Sequence, residues 1–164
     1  MTDSITIRQA HPDDADAIWT MVREVVQDGG AFLEDGSRSR EEILAAWLSP
    51  PATAFVACRG DMVVGAYKLR PNHPGYGSHV ANGSYMVARA WRRRHIGRLL
   101  GEHSISAARE LGYKALQYNA VISTNTGAVR LWTSLGFQVI GTVPRGFSHP
   151  EQGEADLLIM HRFV

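Results

Sequence analysis

A mixed α/β fold, with helices flanking a central twisted sheet, is the class this sequence predicts, and three observations carry it. Short runs of alternating apolar and polar residues recur near both ends, as half-buried strands do. Between them lie longer segments with helical periodicity and recognisable start and stop signals. The stretch from Tyr85 to Ile122 reads as strand, loop, helix, strand, the pattern of a crossover between parallel strands. The 164 residues are 45% hydrophobic and 20% charged, which suits one domain, residues 1–164, with a packed core.

The elements follow in order. "SITIRQA" alternates as a strand, with Ile5 and Ile7 on one face. "HPDDADAIWTMVREVVQDGG" reads as a helix: Pro12 suits the first turn, the early aspartates suit the helix dipole, and Gly29-Gly30 stop it. "SREEILAAWL" is a second helix with a capping-box pattern, Ser39 to Glu42, ended by Pro50-Pro51. "TAFVACRGDMVVGAYKLR" is a hairpin turning at Arg59-Gly60-Asp61-Met62, "RPNHPGYGS" a loop, and "HVANGSYMVA" a strand whose Gly83 marks a bulge. "GRLLGEHSISAARELGY" is a helix with Leu99, Leu100, His103, Ala107 and Leu111 on one face. "KALQYNAVI" is a strand, "TNTGAVRLWTSLGF" a helix closed by Gly136, and "QVIGTVP" and "EADLLIMHRFV" are the last two strands.

Composition excludes several classes. Lys+Arg 17 against Asp+Glu 16 leaves +1, too balanced for a dedicated nucleic-acid binder, and no recognised nucleic-acid motif is present. No apolar run approaches the ~20 residues of a membrane span, and the N-terminus lacks the pattern of a signal peptide. Cys58 is the single cysteine and reads as a buried strand thiol. A protein of the reducing cytoplasm is expected, with no metal.

Chemistry concentrates in "WRRRHIGRLL", between a strand and a helix start. Helix N-termini present unpaired N–H groups and partial positive charge, so they suit phosphate. Arg92, Arg93, Arg94 and Arg98 add charge, and Gly97 allows close backbone approach. A basic surface turn is the competing reading. Asn125 stands at the start of the later helix, where it is equally an N-cap.

In this order the features resemble the GNAT superfamily of N-acetyltransferases. Arg92-Arg93-Arg94-His95-Ile96-Gly97 resembles its Arg/Gln-x-x-Gly-x-Gly/Ala loop. Asn125 through Ala128, Leu131-Trp132 and Gly136-Phe137 resemble its later helix. The resemblance implies a GNAT-like fold with splayed central strands and acetyl-CoA as cosubstrate. It implies main-chain contacts from Tyr85, Met86 and Val87 to the pantetheine arm, and a pyrophosphate cradle along Arg92, Arg93, Arg94, His95, Ile96, Gly97 and Arg98, with Asn125 nearby. The sequence departs from the pattern at two positions. His95 replaces a glycine, and Trp132 stands where many relatives carry a tyrosine proposed to protonate the leaving thiolate. An indole is no useful acid, so no general acid is assigned.

The segment from Gly97 to Pro144 also resembles the fungal N-acetyltransferases that act on proline analogues such as azetidine-2-carboxylate. That likeness implies catalytic roles for Asn119 and Asn82. Two asparagines on adjacent strands also ask for an explanation on propensity alone, as site residues or as satisfied amides. His73, His79, Glu34 and Asp35 are further candidate bases or substrate ligands. The resulting expectation is direct acetyl transfer from acetyl-CoA to a small-molecule amine, an amino acid or proline analogue among them. Alternatives are a protein or peptide acetyltransferase, and a non-catalytic CoA-binding sensor. No nucleic-acid or membrane partner is expected, and "EADLLIMHRFV" is a candidate homodimer contact.

Overall fold

The computed structural model describes residues 4–164. The elements run β1 (Ile5–Gln9), α1 (Ala15–Asp28), α2 (Arg40–Leu48), β2 (Thr53–Arg59), β3 (Met62–Pro71), β4 (Val80–Val87), α3 (Ile96–Glu110), β5 (Ala115–Ile122), α4 (Thr126–Ser134), β6 (Gln138–His149) and β7 (Gly153–Phe163). The seven strands form one mixed sheet in the order β1-β2-β3-β4-β5-β7-β6. Only β4 and β5 run parallel, joined by the crossover through α3.

Local chemistry sets the helix ends. His11 and Asp14 make a reciprocal capping box ahead of α1, and Ser39 and Glu42 make another ahead of α2. Gly136, at φ +87°, closes α4, with Phe137 N–H returning to the Trp132 carbonyl at 3.0 Å. Two apolar clusters cover opposite faces of the sheet. Ile18, Met21, Val22, Ile43 and Trp47 of α1 and α2 pack on Val56, Ala66 and Met86. Leu100, Ala107 and Ala108 of α3 and Trp132 of α4 pack on Tyr67, Leu69 and Leu116. Cys58 is 4% exposed, and burial pushes its thiol pKa up. Among the described residues no helix is long and apolar enough to cross a membrane.

The structure corrects several expectations. Gly83 is no bulge, because β3 and β4 pair in continuous register from Gly65–Val87 to Pro71–Ala81. A Cβ at Gly83 would stand 2.8 Å from the Tyr85 ring and hydroxyl, so the glycine makes room for a tyrosine folded back along its own strand. The buried side of α3 is Ile96, Leu100, Ser104, Ile105, Ala107 and Ala108, while Leu99 and Leu111 are exposed. β6 continues beyond Pro144 to His149, with a register break between Val143 and Phe147. It is the outer strand, where a missing N–H is tolerated. β7 is paired on both sides, to β5 and β6, so at this end of the sheet the free strand edge is that of β6.

Candidate active site

The sheet opens at its centre. β4 and β5 pair only at Val80–Ala115 and Ala81–Leu116, and then diverge. In an antiparallel ladder, main-chain groups of successive residues point alternately to the two sides. The Val80 carbonyl accepts from Asn72 N–H at 2.8 Å and the Ala88 N–H donates to the Val64 carbonyl at 2.9 Å, so even-numbered β4 residues face β3. The main-chain groups of Gly83, Tyr85 and Val87 therefore point toward β5, into the gap. This corrects the expectation for Met86: its main chain is turned to β3, opposite Ala66, and its side chain is 3% exposed in the core.

Beyond β4 the chain turns sharply into α3. Arg93 and His95 take left-handed backbone, at φ 62° and 61°. His95 thus occupies a conformation that glycine adopts without strain. The first intrahelical bond is Leu99 N–H to the His95 carbonyl at 3.1 Å, and the His95 side chain makes no capping bond. The N–H groups of Ile96, Gly97 and Arg98 are left without helical partners, as a phosphate cradle requires. An added Cβ on Gly97 would meet only Leu131 at 3.6 Å and Val87 at 4.0 Å.

Most of the arginine side chains are otherwise engaged. Arg92 forms an ion pair with Asp28, and its Nε donates to the Val87 carbonyl at 3.3 Å. Arg89 joins the same Asp28 at 2.7 Å, and the two guanidiniums hold its carboxyl below the usual carboxylate range. Arg94 and Arg59 lie over the Trp91 ring, at 4.8 and 5.0 Å. Arg98 pairs with Glu102 at 2.9 Å and donates to Ser134 Oγ at 3.1 Å. Ile96 is 2% exposed, so only its main chain faces outward. At this helix start the main-chain amides, rather than most of the arginine tips, are left without partners.

Two cavities meet at the splay. One, of about 520 Å³, runs along Tyr85, Met86 and Val87 to Asp28, Arg92, Asn125 and Gln152. The other, of about 400 Å³, holds both asparagines, Asn82 and Asn119, with Gly83, Tyr85, Tyr118 and Trp132. Ala31, Tyr85 and Asn125 border both. Asn125 Oδ1 caps α4 by accepting from Ala128 N–H at 3.2 Å. Asn125 is thus the helix cap and also borders the cleft.

The asparagines differ in their surroundings. Asn119 Oδ1 accepts from Gln117 Nε2 at 3.0 Å, and Asn119 Nδ2 donates to Asn72 Oδ1 at 2.6 Å. Asn82 makes no side-chain hydrogen bond among the described residues and faces the cavity. Glu34 also lines it and is paired to Arg38 at 3.3 Å. Asp35 accepts from Ser37 N–H at 2.9 Å, and His73 and His79 are exposed away from the cavity.

Sequence reasoning missed Lys68, Arg70 and Asn72. Lys68 and Arg70 line the same cavity from β3, opposite Ser84 and Asn82. Burial pushes the Lys68 pKa down to about 8, and the positive charge of Arg70 adds to this. An i, i+2 pair of cations breaking an apolar strand was the available signal. Trp132 is 7% exposed, with ring centroids 4.6 Å from Tyr85 and 4.7 Å from Tyr118. The Tyr85 hydroxyl contacts Tyr118 Oη at 2.5 Å and donates to Ser104 Oγ at 2.9 Å. Burial pushes the Tyr85 pKa up to about 12 and that of Tyr118 well above the ordinary value. Among the described residues no group of His, Cys, Asp or Glu converges as a metal site.

A parallel strand pair that opens halfway, followed by an uncapped helix start, is the arrangement that the resemblance to N-acetyltransferases implies. Comparison with known proteins names the family: a model of the acetyltransferase (GNAT) family matches residues 19–137, and the chain belongs to it. A GCN5-related N-acetyltransferase from Kribbella flavida superposes with a TM-score of 0.93 at 41% identity, over 100% of both chains. The N-acetyltransferase aca1 of Schizosaccharomyces pombe is 36% identical over 92 residues, 56% of this chain and 44% of that protein. The chain thus spans less than half of that relative. A putative acetyltransferase from Salmonella typhimurium, solved with acetyl-CoA, shares the fold at a TM-score of 0.88 and 24% identity, over 98% of this chain and 94% of its own.

Proposed function

We propose that residues 1–164 act as one catalytic domain that moves the acetyl group of acetyl-CoA directly to the amine of a small molecule, an amino acid or proline analogue among them. The carrying observation is the 400 Å³ cavity beside the splay, walled by Ala31, Phe32, Leu33 and Glu34 of the α1–α2 connection. The second connection, after β3, contributes Asn72, which ties down Asn119. A cavity of this volume, walled on one side by the α1–α2 connection, suits a small acceptor better than an extended peptide.

Acetyl-CoA supplies a thioester carbonyl open to attack by an amine. The chain's part is to hold and orient. The uncapped amides of Ile96, Gly97 and Arg98 fit a pyrophosphate, and the open edge of Gly83, Tyr85 and Val87 fits the pantetheine amides. An inward N–H of that edge would donate to the carbonyl oxygen as it gains charge. Asn119 and Asn82 orient the amine without titrating, Asn119 from a fixed rotamer and Asn82 with its amide free for substrate. Trp132 closes the site but carries no transferable proton. The Tyr85 and Tyr118 phenols, with raised pKa, hold their protons, so thiolate protonation falls to water or the substrate ammonium. This reading places the protein in the cytoplasm, supported by one buried thiol. It includes a homodimer paired along the β6 edge, where Val139, Ile140 and Val143 are exposed; loss of the dimer in Ile140→Asp, by sedimentation velocity, would support that contact.

Free-CoA release and product mass, measured over small amines, proline analogues and peptides, test the reading. Turnover of a small amine supports it. Turnover of peptides alone would favour a protein acetyltransferase, and binding without release across the panel a sensor. Asn119→Ala is expected to lower acetyl transfer far more than acetyl-CoA affinity; equal losses would remove Asn119 from the chemistry.

A further inference from the structure

Resting on that reading, we propose that Lys68 and Arg70 receive a carboxylate carried by the acceptor close to its amine. Both cations line the acceptor cavity, and neither has a carboxylate partner among the described residues. Of the other charged groups there, Glu34 is already paired with Arg38. The cavity therefore holds two uncompensated positive charges. Arg70 is exposed at the cavity's rim, but Lys68 is half-buried, and a half-buried ammonium without a counter-ion is costly and is retained where a ligand supplies the partner.

Lys68 is held for such a role. Its ammonium donates to the Ala46 carbonyl at 2.9 Å and lies 5.0 Å from the Trp47 ring centroid, so its direction is set and donors remain free. Lys68 stands opposite Ser84, and Arg70 opposite Asn82. Strands rise ~3.3 Å per residue, so both lie within a few strand positions of Tyr85 and the open edge. An anion bound there keeps an amine on a neighbouring carbon within reach of the acyl group. Lys68 is also a sensor of occupancy. Burial, Arg70 and Arg38 lower its pKa to about 8, against a raising effect of Glu34. A carboxylate at Lys68 favours the charged ammonium and raises that pKa again.

Lys68 and Lys114 are the chain's two lysines, so 13Cε labelling of lysine gives two resolvable signals. The experiment is a pH titration of these signals in the full chain with L-proline, azetidine-2-carboxylate and the common amino acids. Pyrrolidine and azetidine serve as carboxylate-free counterparts, and free-CoA release is followed in parallel. The proposal expects a carboxylate of the panel to move the Lys68 midpoint up from about 8 toward the ordinary lysine value, with Lys114 unmoved. It also expects Arg70→Gln to weaken that effect by about ten-fold or more in Kd, as loss of a charge-assisted bond should. A Lys68 signal unmoved by every carboxylate overturns the site, even if CoA release from plain amines upholds the transferase reading. A Lys68 shift without CoA release from any amine overturns acetyl transfer while upholding the carboxylate site. A shift unchanged in Arg70→Gln removes Arg70 from it.

Discussion

Replacing His95 by glycine should stabilise the protein while leaving acetyl-CoA binding nearly intact. His95 sits at φ 61°, ψ 8°, where its side chain caps nothing. Left-handed backbone costs an L-residue about 1–2 kcal/mol relative to its right-handed alternative. Glycine avoids that cost but gives back about 0.5–1 kcal/mol through the greater freedom of its unfolded chain. The net gain is about 0.5–1 kcal/mol, which for a chain of this size raises Tm by about 1–4 °C. Thermal unfolding of His95→Gly and His95→Val gives opposite signs on this account, because a β-branched residue tolerates the conformation least. Calorimetric titration should keep acetyl-CoA affinity within about three-fold in His95→Gly, a change well under 1 kcal/mol. A lowered Tm would show that the imidazole makes a stabilising contact. A loss of affinity beyond about ten-fold would show that the side chain, and not the amides behind it, holds the ligand.

Two further substitutions probe the frame. At Gly101 an added Cβ would lie 2.6 Å from Leu135 Cδ1 and 3.1 Å from Trp132 Cζ3, so Gly101→Ala should cost about 1–3 kcal/mol by overpacking the α3–α4 contact; urea unfolding measures it, and an unchanged midpoint would contradict the packing. Asp14 accepts two bonds from Arg8, at 2.8 and 2.9 Å, and one from His11 N–H at 2.7 Å, and the Arg8 guanidinium holds its pKa below the ordinary carboxylate value. A depressed folded-state pKa contributes stability above the unfolded pKa of about 4 and loses it as pH falls through the folded value. Asp14→Asn should therefore lower Tm at pH 7, with the gap to the parent narrowing in acid.

What the sequence disclosed was mostly local. The capping box at Ser39 and the stop at Gly136 depend on neighbours within a few positions, the crossover through α3 on the order of consecutive elements, and each stands where its residues suggested. The two loop and helix motifs were legible for the same reason. Features that depend on register were not. Which of Tyr85, Met86 and Val87 turns its amide inward follows from the pairing of β4 with β3, and Met86 fell on the wrong side. Gly83 looked like a bulge because its partner, the Tyr85 ring, is visible only in three dimensions. Pro144 looked like the end of a strand because an outer strand that tolerates it cannot be recognised before the sheet order is known. Asn72, in the loop after β3, gains meaning only from Asn119, which lies far along the chain.

The account rests on the amides at the start of α3 as the cradle for acetyl-CoA, and Gly97→Glu tests it with folding and binding separated. The space around Gly97 admits a Cβ at ordinary contact distance. An acidic residue in a helix's first turn is favourable by about 0.3–1 kcal/mol, so the variant should melt no lower than the parent. Its carboxylate would stand where the pyrophosphate is received. Calorimetric titration of acetyl-CoA onto the folded variant is predicted to show binding weakened by about a hundred-fold or more, an effect of about 2.7 kcal/mol. Affinity equal to the parent's would contradict the cradle.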